Sequence, residues 1–384
     1  MGLIKSIKSI LGKKPNIIMI MIDGARCDAI ESADFYKQLR KDSVFCSKLI
    51  TYAPYTIGSL HSLFSGMYGN QNGVDGYYKS YSFDKQRCFT LTQYLKNAGY
   101  YTEADIVVKD ILPSSGFDKV RIYDEFKDNL VERHKEVLNQ IKGKDPFFLF
   151  LDYVSLHTSL VNNVIKKYSD FDKRYFSNKE QNFNNHLQEI EKSSEYLDNI
   201  LKRIKELDLW DNSLIVVFSD HGTSVGDKSG EKAYGVYLYD YTIRCFFYMI
   251  SNNFPKGKEL NKLVRGIDLL PTMLDILRLE QKKEFNPIQG KSFLSAIKGD
   301  EEERTAYSET GGLGGPTPSP EKHNVKSIRT NKWKLIYNES TKKKELYDLE
   351  NDPEEKQNIA GKKTDIEESL WDEMQRLQKM FKES

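Results

Sequence analysis

Pro15-Asn16-Ile17-Ile18-Met19-Ile20-Met21-Ile22-Asp23-Gly24-Ala25-Arg26-Cys27-Asp28 is the stretch that decides the fold. A Pro-Asn pair releases an unbroken apolar run, too short to cross a bilayer and rich in Ile. Such a run reads as a strand buried on both faces of a parallel sheet. It stops at Asp23. In open α/β sheets ligands lie beyond the carboxyl ends of the strands, and Gly24 lets the backbone turn sharply at that edge. Asp23 therefore reads in two ways, as a ligand for a metal ion or as the cap of a following helix over 27–42.

The pattern recurs. Asp145-Pro146 opens Phe147-Phe148-Leu149-Phe150-Leu151-Asp152-Tyr153, which runs out through Val154-Ser155-Leu156 to His157. Asp211-Asn212 opens Ser213-Leu214-Ile215-Val216-Val217-Phe218, which ends on Ser219-Asp220-His221-Gly222. Between the first two runs, Val44 to Ile50 reads as a strand leading into Thr51-Tyr52-Ala53-Pro54-Tyr55-Thr56-Ile57-Gly58-Ser59. From Ser59, Leu60, Leu63 and Phe64 recur at helical spacing up to Gly66. Thr56 is then expected just ahead of a helix N-terminus, where backbone N–H groups face an anion; the alternative is an ordinary helix cap.

Three strands ending in Asp23, His157 and Asp220-His221, with Thr56 at a helix start, converge on one sheet edge. Asp23, Thr56, Asp220 and His221 suit the shell of one divalent cation, and the imidazole nitrogen moves the preference from Ca2+ or Mg2+ toward Mn2+ or Zn2+. Such a cation would acidify the Thr56 hydroxyl and screen an anionic ester. His157 would bond the substrate or protonate the leaving group. Arg26 reads as an anion contact or a structural support, against a surface ion pair with Asp28 or Glu31. His186, within a charged amphipathic helix over 186–207, reads as solvated.

Composition bounds the partners. In 384 residues, 57 Lys and Arg against 56 Asp and Glu leave no field to recruit nucleic acid. Hydrophobic content of 39% supports one large α/β core with a smaller appendage. Cys27, Cys46, Cys88 and Cys245 show no metal or disulfide spacing and suit free thiols, so a cytoplasmic setting is expected. Residues 1–14 form a short basic segment without signal-peptide character; Leu3, Ile4, Ile7, Ile10 and Leu11 share one face, suited to weak peripheral contact with a membrane.

Taken together, the motifs resemble the sulfatase family of the alkaline phosphatase superfamily. The resemblance rests on Asp23-Gly24-Ala25-Arg26-Cys27-Asp28, Pro54 to Ser59 with Leu63-Phe64-Ser65-Gly66, and Phe218 to Gly222. It continues in Asp268-Leu269-Leu270-Pro271-Thr272, Gly290-Lys291-Ser292 and Glu345 to Glu355. It implies an alkaline phosphatase-like α/β sandwich with a mostly parallel central sheet. The domains expected are a catalytic one over 15–300 and a C-terminal subdomain over 301–384 with a small antiparallel sheet and a terminal helix.

Departures from the family pattern bear on the chemistry. Where sulfatases carry the Cys or Ser that is oxidised to an aldehyde, this chain has Thr56, with Gly58 and Leu60 in place of the proline and arginine. Gly24 stands where a second metal-binding Asp belongs. Threonine cannot become that aldehyde; in this respect the chain is similar to relatives whose Thr forms a covalent phospho-enzyme. The expected reaction is thus hydrolysis or transfer of a phosphate ester through phospho-Thr56, on a small-molecule or a glycan- or lipid-linked anionic ester. Sulfate-ester hydrolysis is the alternative, and a non-catalytic scaffold the third reading. One ion is favoured over two, although Asp152, His157 and His323 follow the order of a second metal's ligands in two-zinc relatives. The specificity elements are expected in 160–185 and 311–320.

Overall fold

A computed structural model describes residues 14–74, 82–160, 177–228, 235–311 and 325–383. The strands of the large sheet are β1 (Asn16–Ile22), β2 (Val44–Ile50), β3 (Tyr101–Ile106), β4 (Lys119–Ile122), β5 (Phe147–Tyr153), β6 (Ser213–Phe218), β7 (Arg244–Ile250), β8 (Lys258–Leu260) and β9 (Val264–Arg265). They lie in the order β4-β3-β5-β1-β6-β7-β2-β8, with β9 also on β2. Only β7 runs against its neighbours β6 and β2. The sheet is therefore mostly parallel, as the apolar runs require.

Alternation along β1 explains both layers. Ile17, Met19 and Met21 face one core with Phe148, Phe150, Val216 and Phe218, under helix α1 (Thr56–Ser65), which contributes Leu60, Leu63 and Phe64. Ile18, Ile20 and Ile22 face the other core with Leu149, Leu151, Ile215 and Val217. That face is covered by the helix Leu130–Ile141 and, beyond the short helix α2 (Ser155–Leu160), by α3 (Lys179–Glu206). With helices on both sides, no polar residue is needed within the central strands.

Register sets the functional edge. Met21 pairs with Asp152 on one side and with Phe218 on the other. Because side chains alternate, Asp23 and Asp220, each two residues beyond a paired position, emerge on the face of Met21, Phe218 and α1. Asp152 lies on that face too, one row back.

The second sheet is antiparallel, β10 (Ala306–Thr310), β11 (Val325–Arg329), β12 (Trp333–Asn338) and β13 (Lys343–Asp348), with helix α4 (Thr364–Glu383). Leu370 and Met374 of α4 join Tyr307, Ile328, Leu335 and Leu346 in a core that also takes in Tyr52, Ala53 and Tyr55, the residues just before Thr56. The sequence motif Asp268 to Thr272 with Gly290-Lys291-Ser292 is a clamp. Asp268 accepts from Lys291 N at 2.8 Å and from Arg304 at 2.7 Å, while Gly66 O at the end of α1 accepts from Gln289 N and Gly290 N. A Cβ on Gly290 would meet Ile267 O at 1.9 Å, so only glycine allows this approach.

Several expectations are corrected. The helix expected over 27–42 is confined to Asp34–Lys41 after a single turn at Ile30–Ser32, because Ala33 is extended. α1 begins at Thr56 rather than Ser59, whose N–H is already bonded to Tyr55 O at 3.1 Å. α3 starts at Lys179 instead of 186, since Asn182 bonds Val225 O at 3.0 Å and so extends the helix across a polar turn. Strand β10 carried no apolar alternation to announce it. Residues 1–13, most of 160–185 and nearly all of 311–320 lie outside the described residues. Among the described residues no helix is long and apolar enough to cross a membrane.

Candidate active site

Asp23, Asp220 and His221 are buried at the carboxyl edge of β1 and β6, and their ligand atoms lie within 4.8 Å of one another. Among the described residues they are the group of three such side chains able to hold a metal ion. His221 Nε2 is 3.5 Å from Asp23 Oδ1 and 3.6 Å from Asp220 Oδ2, and 3.3 Å from Thr56 Oγ1. His221 Nδ1 lies 2.8 Å from Gly222 O, which can only accept, so Nδ1 donates and Nε2 is the ring nitrogen turned into the group.

The donor set fits a cation. Asp23 Oδ1 and Asp220 Oδ2 are buried and make no hydrogen bond. Burial first, then the charges of Asp220, Asp152 and Glu125, pushes the Asp23 carboxyl well above the usual carboxylate range. Asp152 is pushed up to about 7, mainly by burial and partly by Asp220. Three carboxylates on one buried face repel one another unless a positive charge joins them.

Local bonds hold the parts in place. Asp220 Oδ1 accepts from Gly24 N at 3.3 Å, and Gly24 has φ of +70°, a backbone state natural to glycine. A Cβ there would stand 3.1 Å from Thr223 Oγ1, which leaves little room for the second carboxylate of the family pattern. Ser59 Oγ donates to Asp220 O at 2.8 Å and accepts from Thr51 Oγ1 at 2.7 Å, tying α1 to the end of β6. Tyr55 offers α1 no side-chain cap, so the first-turn N–H groups around Thr56 are not closed off by a capping side chain.

Other expected site residues fall elsewhere. Arg26 is not a surface ion pair. It is buried, bonding Asp28 at 2.9 and 2.7 Å, Asp227 at 2.7 Å and Thr223 O at 3.2 Å; Glu31 pairs with Arg40 instead. Asp227, some two hundred positions away in sequence, is a partner that no local pattern signals. His157 sits on α2, not at a strand exit, 3.7 Å from Glu125, a residue no sequence motif singles out. Asp152 Oδ2 accepts from Val107 N at 3.2 Å; neither it nor His157 joins a third ligand among the described residues, and His323 lies outside them.

His186 is a second correction: it is buried, and its Nε2 accepts the Arg26 backbone N–H at 3.3 Å. Burial first, then the Arg26 charge, pushes its pKa down to about 3 from the ordinary 6.5. A depressed folded pKa contributes stability above 6.5 that is lost as pH falls from there toward 3. In urea titrations with chelator, the wild type is expected to lose about 1.4 kcal/mol per pH unit more than His186→Gln between pH 6 and 4.5. Equal slopes would contradict a buried neutral ring.

A parallel sheet sandwiched by helices, a carboxylate and imidazole cluster at its carboxyl edge and a hydroxyl at a helix start define the alkaline phosphatase-like class of hydrolases. Within it, the chain belongs to the sulfatase family. The sequence profile described as "Sulfatase" matches residues 15–279, and that described as "N-sulphoglucosamine sulphohydrolase, C-terminal" matches 235–380. The chain is 27% identical over 187 residues to arylsulfatase K of Canis lupus familiaris, covering 45% of this chain and 32% of that protein. It thus spans about a third of that relative's length. A solved 2-O GAG sulfatase superposes with a TM-score of 0.79 at 18% identity, covering 96% of this chain and 93% of the other. The phosphonate monoester hydrolase of Agrobacterium radiobacter gives 0.76 at 15%, covering 96% of each. At these identities the superpositions show the fold.

Proposed function

We propose that the chain cleaves an anionic ester carried on a sugar, a sulfate ester being the class its family supports best. The Thr56 hydroxyl is the nucleophile, and Asp23, Asp220 and His221 are the residues that would hold a divalent cation. The single observation behind this reading is Thr56 Oγ1 at the first turn of α1, 3.3 Å from His221 Nε2. When bound, the cation lowers the pKa of the hydroxyl and screens the charge of the ester. Thr56 Oγ gives up its proton to solvent water and bonds the central atom of the ester; the first-turn N–H groups of α1 receive the ester oxygens. The bond to the sugar oxygen breaks, and that oxygen takes its proton from His157, held by Glu125. Water then releases the acid from Thr56.

Ca2+ is the ion the family generally uses, whereas the imidazole in this cluster favours Mn2+ or Zn2+. A second reading, phosphate-ester cleavage through phospho-Thr56, is favoured by the nucleophile itself, because threonine cannot supply an aldehyde. A parallel assay of aryl sulfate, aryl phosphate and a phosphodiester with each of the three ions separates them. Sulfate turnover lost by on the order of 10³-fold or more in Thr56→Ala is expected. Phosphoester turnover alone selects the second reading. Turnover of any ester that survives Thr56→Ala would sink the assignment of the nucleophile.

A further inference from the structure

Thr51 joins the small sheet to the edge of the large one through a chain of buried hydroxyls. Ser308 Oγ on β10 donates to Thr51 O at 2.6 Å, Thr51 Oγ1 donates to Ser59 Oγ at 2.7 Å, and Ser59 Oγ donates to Asp220 O at 2.8 Å. Thr51 is itself a fixed point. Its N–H donates to Ile243 O at 3.0 Å, just before β7, and β7 pairs with β6, the strand that delivers Asp220 and His221.

The chain ends where position matters. Ser59 lies one turn along α1 from Thr56, and the carbonyl it reaches belongs to a residue whose carboxylate stands in the cluster. A serine hydroxyl has one proton, and inside a helix that proton readily goes to the carbonyl four residues back, here that of Tyr55. Thr51 fills a lone pair of Ser59 Oγ, and the Ser59 proton crosses to Asp220 instead. At Gly58 the same turn is closely packed. A Cβ there would meet Ala53 Cβ and Tyr55 Cε2, each at 2.7 Å, so the start of α1 already touches the segment that follows Thr51. The far end of α1 has its own anchors in Leu63, Phe64 and the bonds to Gly66 O.

We propose that Thr51 is a positioning residue. Through Ser59 its hydroxyl sets the first turn of α1 against the end of β6 and so holds Thr56 Oγ1 in place beside Asp23, Asp220 and His221, with Ser308 as the support from β10. The attack of Thr56 on an ester rests on the proposed reaction; the placement of the turn does not.

Thr51→Val keeps the shape and removes the donated proton, whereas Thr51→Ser keeps the proton. With an ester that the wild type turns over, Thr51→Val is expected to lower kcat by about tenfold or more and to change KM by less than about twofold, because a displaced reacting atom acts on the chemical step. Hydrogen exchange with fragmentation mass spectrometry reads the turn directly. The Ser59 amide should exchange about tenfold or more faster in Thr51→Val, while those of Phe64 and Ser65 stay as in the wild type. Thr51→Ser should return kcat and exchange to within about threefold of the wild type. Unchanged kcat, a loss carried equally by Thr51→Ser, or a change confined to KM overturns the proposal. If Thr51→Val fails to give a cooperative melt, Ser308→Ala serves: lower kcat with faster Ser59 exchange supports the chain, and wild-type values for both overturn it. A wild type that cleaves none of the esters removes the proposed reaction alone, and Ser59 exchange then decides. Faster exchange in Thr51→Val but not in Thr51→Ser supports the placement, and equal exchange in all three proteins overturns it.

Discussion

Asp220→Asn is expected to abolish the rise in melting temperature that Mn2+, Zn2+ or Ca2+ gives the wild type, and to lower turnover by at least about a hundredfold. The metal-free variant should nevertheless melt higher than the metal-free wild type. Asp220 is one of the charges that push the Asp23 carboxyl above its usual range, so at pH 7 its neutral isostere removes a buried repulsion. The amide keeps an oxygen for the Gly24 N–H, so the local backbone is not disturbed. A cation at about 100 times its Kd stabilises the wild type by about 2.7 kcal/mol, and the variant should gain little of this. Differential scanning fluorimetry with and without chelator reads both effects. A variant that keeps its metal-induced shift would remove Asp220 from the ligand set.

The second large effect is on stability. Lys334 is fully buried, with its ammonium 3.0 Å from Asp240 and 2.8 Å from Glu355, and Glu355 also accepts from Asp240 N at 2.7 Å. Burial alone would raise the Asp240 pKa, but Arg329 and Lys334 hold it far below the usual range. Lys334→Met strands Glu355 as an uncompensated buried charge and is expected to cost about 3–5 kcal/mol in urea unfolding. Lys334→Met combined with Glu355→Gln should cost clearly less than the sum of the two single changes, because the pair then leaves no naked charge. Additive costs would mean that the two groups do not share a network.

How much of this was legible in the sequence depended on range. β1, β5 and β6 were plain because burial on both faces makes each strand an apolar run, and their polar exits placed Asp23, Asp220 and His221 at one edge. Thr56 was found, but the start of α1 was set three residues late. Tyr55 is a non-capping residue, so no Ser, Asp or Asn announces the helix. The surroundings of Arg26 and His186 were missed for a different reason. The one is taken up by Asp227 and Thr223, the other lies under the Arg26 backbone, and neither neighbour is signalled by local periodicity. Glu125 escaped altogether, since a lone acid in a polar loop carries no pattern until the fold sets His157 beside it.

The core that seats Tyr52, Ala53 and Tyr55 against β10 to β13 and α4 has a bearing on biosynthesis. A ribosome makes Thr56 early and Met374 late, roughly 300 residues apart, which at about 5–20 residues per second is on the order of 15 to 60 s. Throughout that interval the stretch before Thr56 lacks the surface on which it rests, so the nascent chain carries the proposed nucleophile without a seat for it. The proposed ester cleavage should therefore switch on only after α4 has emerged and docked.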